Sequence, residues 1–424
     1  DPDRPSRRAL AGAVLGRPPA MGDSGSRWSA LALMFLFGLA AAMQLQSVQS
    51  LAPLLVAQVG LSYAEIGVLT GVFMLPGVFL ALPGGMLAGR LGDRRAMAIA
   101  LTLMLGSGVA MAMTQSYAVM ILARVAGGAG SAVLTTQGLK VVTDWFAGRE
   151  ISTAMAINAA SFGLGIGVST GLLSGIAAYS SWQAAMWASA ALVGVALAMV
   201  LAVYRDPEGA ADARRAAQPG LRLQISFPEF VLALLAAIMR MLFASGYVLF
   251  MSFAPVLLIA RGTGVAQAGF LVSLSAIVAL ASVPLGGLLT DRTRKPNVFI
   301  TLGALGAAAC CFILPQVTLV LPWILLFGLL RGGCTGGIMA LPSEVLRPGS
   351  RNAGFGVSST MYFIGLSVIP PLAGWILDTT QRPEAPVWFA MTLWLMIPVT
   401  LLLFRFLQQR WMGLHAHRAD AKNA

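Results

Sequence analysis

The sequence predicts an all-α membrane protein of twelve transmembrane helices arranged as two pseudo-symmetric six-helix bundles. Three observations carry that expectation. Of 424 residues, 58% are hydrophobic and 10% charged, against roughly 25% charged in an ordinary soluble domain. Mean hydropathy is +0.81, so lipid rather than water solvates most of the chain. Apolar stretches of about 20 residues, each able to cross a hydrocarbon core of about 30 Å as a helix with its backbone polar groups satisfied internally, recur from end to end. Finally, the chain matches itself at a fixed offset of 202 residues.

The spans run over 28–56, 62–89, 95–115, 117–140, 150–178, 183–205, 227–259, 265–290, 297–315, 319–341, 352–378 and 385–407. Ser62 with Glu65 and Ser226 with Glu229 have the S-x-x-E spacing of a capping box, which opens spans 2 and 7. Glu65 therefore reads as a helix cap rather than a proton carrier. Span 5, FGLGIGVSTGLLSG at 162–175, has the glycine density that lets helices approach closely in lipid. The polar segment DPEGAADARRAAQPG, 206–220, separates the halves. The organisation expected is a tail 1–27, a six-helix bundle 28–205, a linker 206–226, a second bundle 227–408 and a tail 409–424. Residues 1–20, rich in Arg and Pro and preceding Met21, are set aside from the fold.

Net charge is +12, which in a soluble protein would suggest nucleic acid. Here the positions of the charges decide otherwise. With the N-terminus inside, 23 of the 28 Lys and Arg fall in the tails and inner connectors, while Arg261 and Arg382 occupy outer loops. That asymmetry places both termini in the cytoplasm, and no nucleic-acid partner is implied. The 25 Arg against 3 Lys suggest a GC-rich bacterial genome, hence a bacterial cytoplasmic (inner) membrane. Cys310, Cys311 and Cys334 lie in apolar spans and read as small core residues, and both histidines, His415 and His417, lie in the C-terminal tail. No metal site and no cofactor are expected.

The offset pairs Ala52-Pro53 with Ala254-Pro255, Gly67 with Gly269, Gly84-Gly85 with Gly286-Gly287, Arg90 with Arg292 and Arg149 with Arg351. The segment Gly85-x-x-x-Gly89-Arg90-x-Gly92-Asp93-Arg94-Arg95 resembles the helix 2–3 signature of the major facilitator superfamily, and Gly287-x-x-x-Asp291-Arg292-x-Arg294-Lys295 is its second copy. Arg124-x-x-x-Gly128-x-Gly130 resembles the family's helix 4 motif, and Trp145-Phe146 followed by Arg149 its helix 4–5 loop. The resemblance covers 28–408 and implies parallel six-helix repeats that rock about a midplane site. It also implies a cytoplasmic latch of Gly85, Gly89, Arg90, Gly92, Arg94, Asp291, Arg292, Arg149 and Arg351. The family's latch carboxylate is replaced by Gly89 in the first copy and kept as Asp291 in the second. Asp93 either substitutes for it or is a solvated surface residue.

An ionisable side chain inside a membrane helix is costly unless paired or wetted, so it is a functional candidate by default. Arg124, Arg240 and Arg331 are the three cations deep within spans, on spans 4, 7 and 10, and no Asp or Glu lies deep in any span. The resemblance implies that helices 1, 4, 7 and 10 line the cavity. Span 1 adds QLQSVQS at 44–50, whose Gln46, Ser47, Gln49 and Ser50 cover an arc of about 160°. Tyr247 shares the Arg240 face. The expected site is Arg240 with Gln46, Gln49, Ser50 and Tyr247, and Arg124 and Arg331 above it. Unpaired guanidinium groups suit a carboxylate or oxyanion, which they bind bidentately. A monomeric secondary transporter of a small anion is therefore expected, with a coupling proton or counter-anion left open. The alternatives are a multidrug or hydrophobic-solute exporter with structural arginines, or a membrane sensor that moves nothing. Arg124 and Arg331 have a second reading as helix braces on backbone carbonyls. Arg240 has Gly38 as its repeat partner, so symmetry does not account for it. An enzyme is not expected, for want of a nucleophile and base set.

Overall fold

The computed structural model describes residues 24–80, 92–146, 150–204, 225–293, 295–347 and 350–423. Among them, twelve helices are long and apolar enough to cross a membrane, and the protein is an integral membrane protein. They are α1 Ser24–Ser50, α2 Tyr63–Leu80, α3 Asp93–Met113, α4 Tyr117–Phe146, α5 Ile151–Val168, α6 Trp182–Val203, α7 Phe227–Ala260, α8 Val265–Thr293, α9 Pro296–Ile313, α10 Leu321–Val345, α11 Arg351–Thr380 and α12 Ala385–Asn423. An even number of antiparallel crossings puts both chain ends on one face, called here the terminal face. The opposite one is the far face.

The sequence signals act where expected. Both capping boxes form: Ser62 N–H donates to Glu65 Oε2 at 2.8 Å and Glu65 N–H to Ser62 Oγ at 3.1 Å, while Ser226 and Glu229 do the same for α7. Gly92, at φ 90° and ψ 150°, turns the chain into α3 through a conformation that only glycine adopts easily. Span 1 is not one helix. Ser50 ends α1, Leu51 caps a separate helix Ala52–Val59 with Pro in its first turn, and Gly60 ends that piece at φ 80°. Span 5 is also interrupted, since a π-helical turn Ser169–Leu173 divides α5 from the helix Ser174–Tyr179. Asp144, expected in a loop, lies in the last turn of α4.

Two helix pairs join the halves, α2 with α11 and α5 with α8. Small residues make this possible. A Cβ on Gly67 would stand 2.5 Å from the Pro370 carbonyl oxygen, and one on Gly269 would stand 2.5 Å from that of Thr170. The α2–α11 packing continues down to Gly77 against Phe363, about 21 Å along α2 at 1.5 Å per residue. Among the described residues, α4 and α10 make no extended packing across the halves. The named contacts between the halves thus run from the far face down to Gly77 and Phe363.

At the far face a carboxylate crosses between the halves. Asp378, at the end of α11, accepts from Tyr63 N–H at 3.1 Å and from Ala64 N–H at 2.7 Å. These are N–H groups that the first turn of α2 cannot satisfy internally. Behind α7 the second bundle packs through aromatic rings. Phe250 stacks on Phe327 at 3.7 Å, and Trp394 meets Phe243 and Phe327 edge-on at 5.5 and 5.6 Å.

Candidate substrate site

Arg124 is 2% exposed and fully engaged by its own bundle. Nε donates to the Leu69 carbonyl at 3.0 Å, Nη1 to Gln44 at 2.6 Å and Nη2 to Leu45 at 3.0 Å. Phe73 lies under the guanidinium at 4.3 Å. Three carbonyls from α1 and α2 converge on it, the arrangement of a brace. Its repeat counterpart behaves differently. The side chain of Arg331, a residue 8% exposed on α10, makes no hydrogen bond or ion pair among the described residues, and its buried Nε is without a partner. The guanidinium lies instead on the Tyr247 ring at 3.6 Å, with Phe243 at 5.5 Å.

Arg240 sits lower on α7, nearer the terminal face, and is partly exposed. Its Nη1 donates to Ser358 Oγ at 3.0 Å, the guanidinium lies 5.0 Å from the Tyr362 ring, and Nε is again unpartnered among the described residues. At about 100° per residue, Arg240, Phe243 and Tyr247 fall within one arc of about 60° on α7. The two cations therefore line one side of the space between the halves. The shared face of Arg240 and Tyr247 was legible in the sequence, but Tyr247 serves Arg331, because α10 carries its arginine over that ring.

The helix 1 cluster does not converge on one cavity. Gln46 Nε2 donates to Ser252 Oγ on α7 at 3.2 Å and so crosses the halves. Gln49 Nε2 turns to Thr70 on α2 at 3.1 Å, and Ser50 Oγ to Ser169 on α5 at 3.3 Å. A polar arc of about 160° reaches three neighbouring helices, so a shared arc does not imply a shared partner. Tyr247 Oη makes a further crossing, donating to the Gly163 carbonyl on α5 at 3.1 Å. Ser252, Ser358, Tyr362 and Gly163 were not singled out by sequence reasoning. Serines and tyrosines are common in apolar helices, and only the neighbouring arginines mark these ones.

Of the latch residues, Gly85, Gly89, Arg90 and Arg149 lie outside the described residues, as do the side chains of Asp291 and Arg351. Asp93 is not a surface residue: it is 2% exposed in the first turn of α3, where the helix dipole favours a carboxylate. Arg94 is exposed and donates to the Leu201 carbonyl at the end of α6, and Arg292 is exposed in the last turn of α8.

A family model described as Major Facilitator Superfamily matches residues 30–256 and 236–420. The chain is 26% identical over 374 residues to the "Probable L-galactonate transporter" of Escherichia coli (strain K12), spanning 76% of this chain and 77% of that one. It is 30% identical over 120 residues to "Monocarboxylate transporter 12" of Xenopus laevis, which covers 27% of this chain and 26% of the relative. Among solved structures, a bacterial homologue of the human lysosomal transporter Spinster, in an inward-facing and occupied conformation, superposes with a TM-score of 0.72 at 16% identity, over 92% of this chain and 98% of that one. The nucleoside transporter NupG does so with 0.68 at 16% identity, over 89% and 98%. Duplicated six-helix halves, helix-pair seams and a family match along nearly the whole chain agree: the protein is a membrane transporter belonging to the major facilitator superfamily.

Proposed function

We propose that the protein carries a small organic anion, a carboxylate, across the bacterial cytoplasmic membrane by alternating access, with Arg331 as the residue that grips it. The observation that carries this reading is the state of Arg331: a cation 8% exposed, between the halves, resting on a ring and free of hydrogen bonds among the described residues. A guanidinium in that state offers a bidentate fork to a carboxylate and gains the counter-charge its burial lacks. Arg240, with Ser358 and Tyr362, is the cation an anion meets first from the terminal face. Arg124 serves as a brace, and Gln49 and Ser50 tie α1 to its neighbours.

The relatives named for L-galactonate and for monocarboxylates support the substrate class. The 23 to 2 distribution of basic residues supports a cytoplasmic terminal face, so the far face is the outer one. The Gly85–Arg95 loop, with Asp291, Arg292, Arg149 and Arg351, works as the inner latch. Uptake of labelled L-galactonate and lactate into proteoliposomes tests the reading. Arg331→Gln is expected to lower transport efficiency by at least about 30-fold, as loss of one member of a buried charge pair does. A variant that transports as wild type does would remove Arg331 from the site. Wild-type protein that moves neither anion would remove the substrate class.

A further inference from the structure

Among the described residues, polar side chains cross the halves at three depths. The Asp378 clasp lies at the far face. Gln46 to Ser252 lies about 12 Å below the end of α7, and Tyr247 to Gly163 about 20 Å below it, at 1.5 Å per residue. The lowest differs from the other two because a cation rests on the ring of its donor. Tyr247 Oη donates to the α5 backbone at Gly163, while the ring holds the Arg331 guanidinium at 3.6 Å. A Cβ on Gly163 would stand 3.5 Å from Arg331 Nη2. Backbone of one half, phenol and cation of the other thus meet at one point, and Tyr247 is 3% exposed there.

We propose that Tyr247 is a positioning residue that couples occupancy of Arg331 to the contact between the halves, an inference that rests on the reading of Arg331 as the anion ligand. A cation over an aromatic face draws electron density from the ring. The phenol O–H becomes a stronger donor, and in a low-dielectric interior neighbouring polar groups polarise one another in this way. In the empty protein the Tyr247 to Gly163 bond is therefore strengthened and holds the halves at this level. A carboxylate pairing with Arg331 neutralises the charge above the ring, weakens the donor and lowers the cost of parting α7 from α5. The loaded carrier then reorients more readily than the empty one.

Spin labels at Tyr179 and Gln267 test this without any substrate. Tyr179 is 90% exposed at the far-face end of the α5 segment, Gln267 is exposed at the start of α8, and the three native cysteines are buried. The distance between the labels reads the fraction of molecules open at the far face. Tyr247→Phe keeps the ring and removes the hydroxyl, and it is expected to raise that fraction about two- to tenfold, the range set by one hydrogen bond. Arg331→Gln removes the charge and should shift the fraction in the same direction by less. The double variant should match Tyr247→Phe alone, because the charge then has no donor to act through. Full additivity, or an unchanged fraction in Tyr247→Phe, overturns the proposal. Failure of the anion reading shows separately, as unimpaired uptake in Arg331→Gln, and a non-additive label result would still establish the coupling between the two side chains.

Discussion

The two seams are copies of one another, and they differ at one end. Gly67 of α2 and Gly269 of α8 are repeat partners, and each brings its helix to the same 2.5 Å limit against a carbonyl of the other half. The facing helices are both irregular at that level. α11 carries Pro370-Pro371, and α5 is followed by the π-helical turn Ser169–Leu173, whose first residue the offset of 202 brings onto Pro371. Two different sequence devices interrupt the regular ladder at one architectural place. The difference lies above it: α11 ends in Asp378, which clasps α2, whereas the repeat position on α5 is Ile176. Packing along the seams therefore belongs to the duplication, and the ionic clasp belongs to one seam alone.

The shared part of that comparison should give the largest effects. A leucine at Gly71, beside the Ser367 carbonyl, or at Gly269, beside Thr170, meets backbone that cannot yield as a flexible side chain would. Overpacking of this kind costs about 1–3 kcal/mol or more. Each substitution should hold the far face open, visible as a longer distance between spin labels at Tyr179 and Gln267, and should reduce transport by at least about tenfold. Equal losses at the two sites would support equivalent seams. Loss at Gly71 alone would show that the α2–α11 seam carries closure by itself.

The private part should give an intermediate effect. A carboxylate at a partly buried helix N-terminus contributes up to about 2 kcal/mol, so Asp378→Ala should raise the far-face-open fraction about five- to thirtyfold, with Asp378→Asn between it and wild type. The converse change, Ile176→Asp, offers α8 the carboxylate it lacks and should lower that fraction about two- to fivefold. The same label distance reads both variants. If Asp378→Ala leaves it unchanged, the clasp is an ornament of the closed state rather than a support for it.

Much of this frame was legible in the chain. Length and hydropathy define the spans, S-x-x-E spacing fixes the starts of α2 and α7, and a single offset exposes the two halves. The unpaired cations were legible too, since no acidic residue lies deep in a span. Partners were not. Arg124 and Arg331 occupy related places in the two repeats, yet one finds three carbonyls and the other a tyrosine ring. That outcome depends on how neighbouring helices rotate about their axes, which periodicity within one helix does not specify. The clasp escaped for a related reason. Asp378 and Tyr63 are 315 residues apart, and an aspartate at a helix end reads locally as a solvated residue. Asp93 misled in the same way, because its burial follows from the packing around the start of α3.

The smallest effect is expected at the opposite face, where the sequence has its own asymmetry. The second copy of the helix 2–3 loop holds Asp291, and the first holds Gly89. A carboxylate set against a helix N-terminus contributes about 0.3–1 kcal/mol when exposed, so on the proposed latch the first half would close its terminal face with one such contact fewer. Together with the clasp at Asp378, that imbalance favours a molecule held together at the far face. Gly89→Asp should return part of the difference. The expected result is a two- to fivefold rise in the far-face-open fraction, with reduced labelling of a cysteine placed on the Arg240 face of α7 by a reagent supplied from the terminal side. Combined with Asp378→Ala, the two shifts are expected to add, as those of distant, independent sites do. Unchanged labelling in Gly89→Asp would mean that the far-face clasp alone sets the resting state.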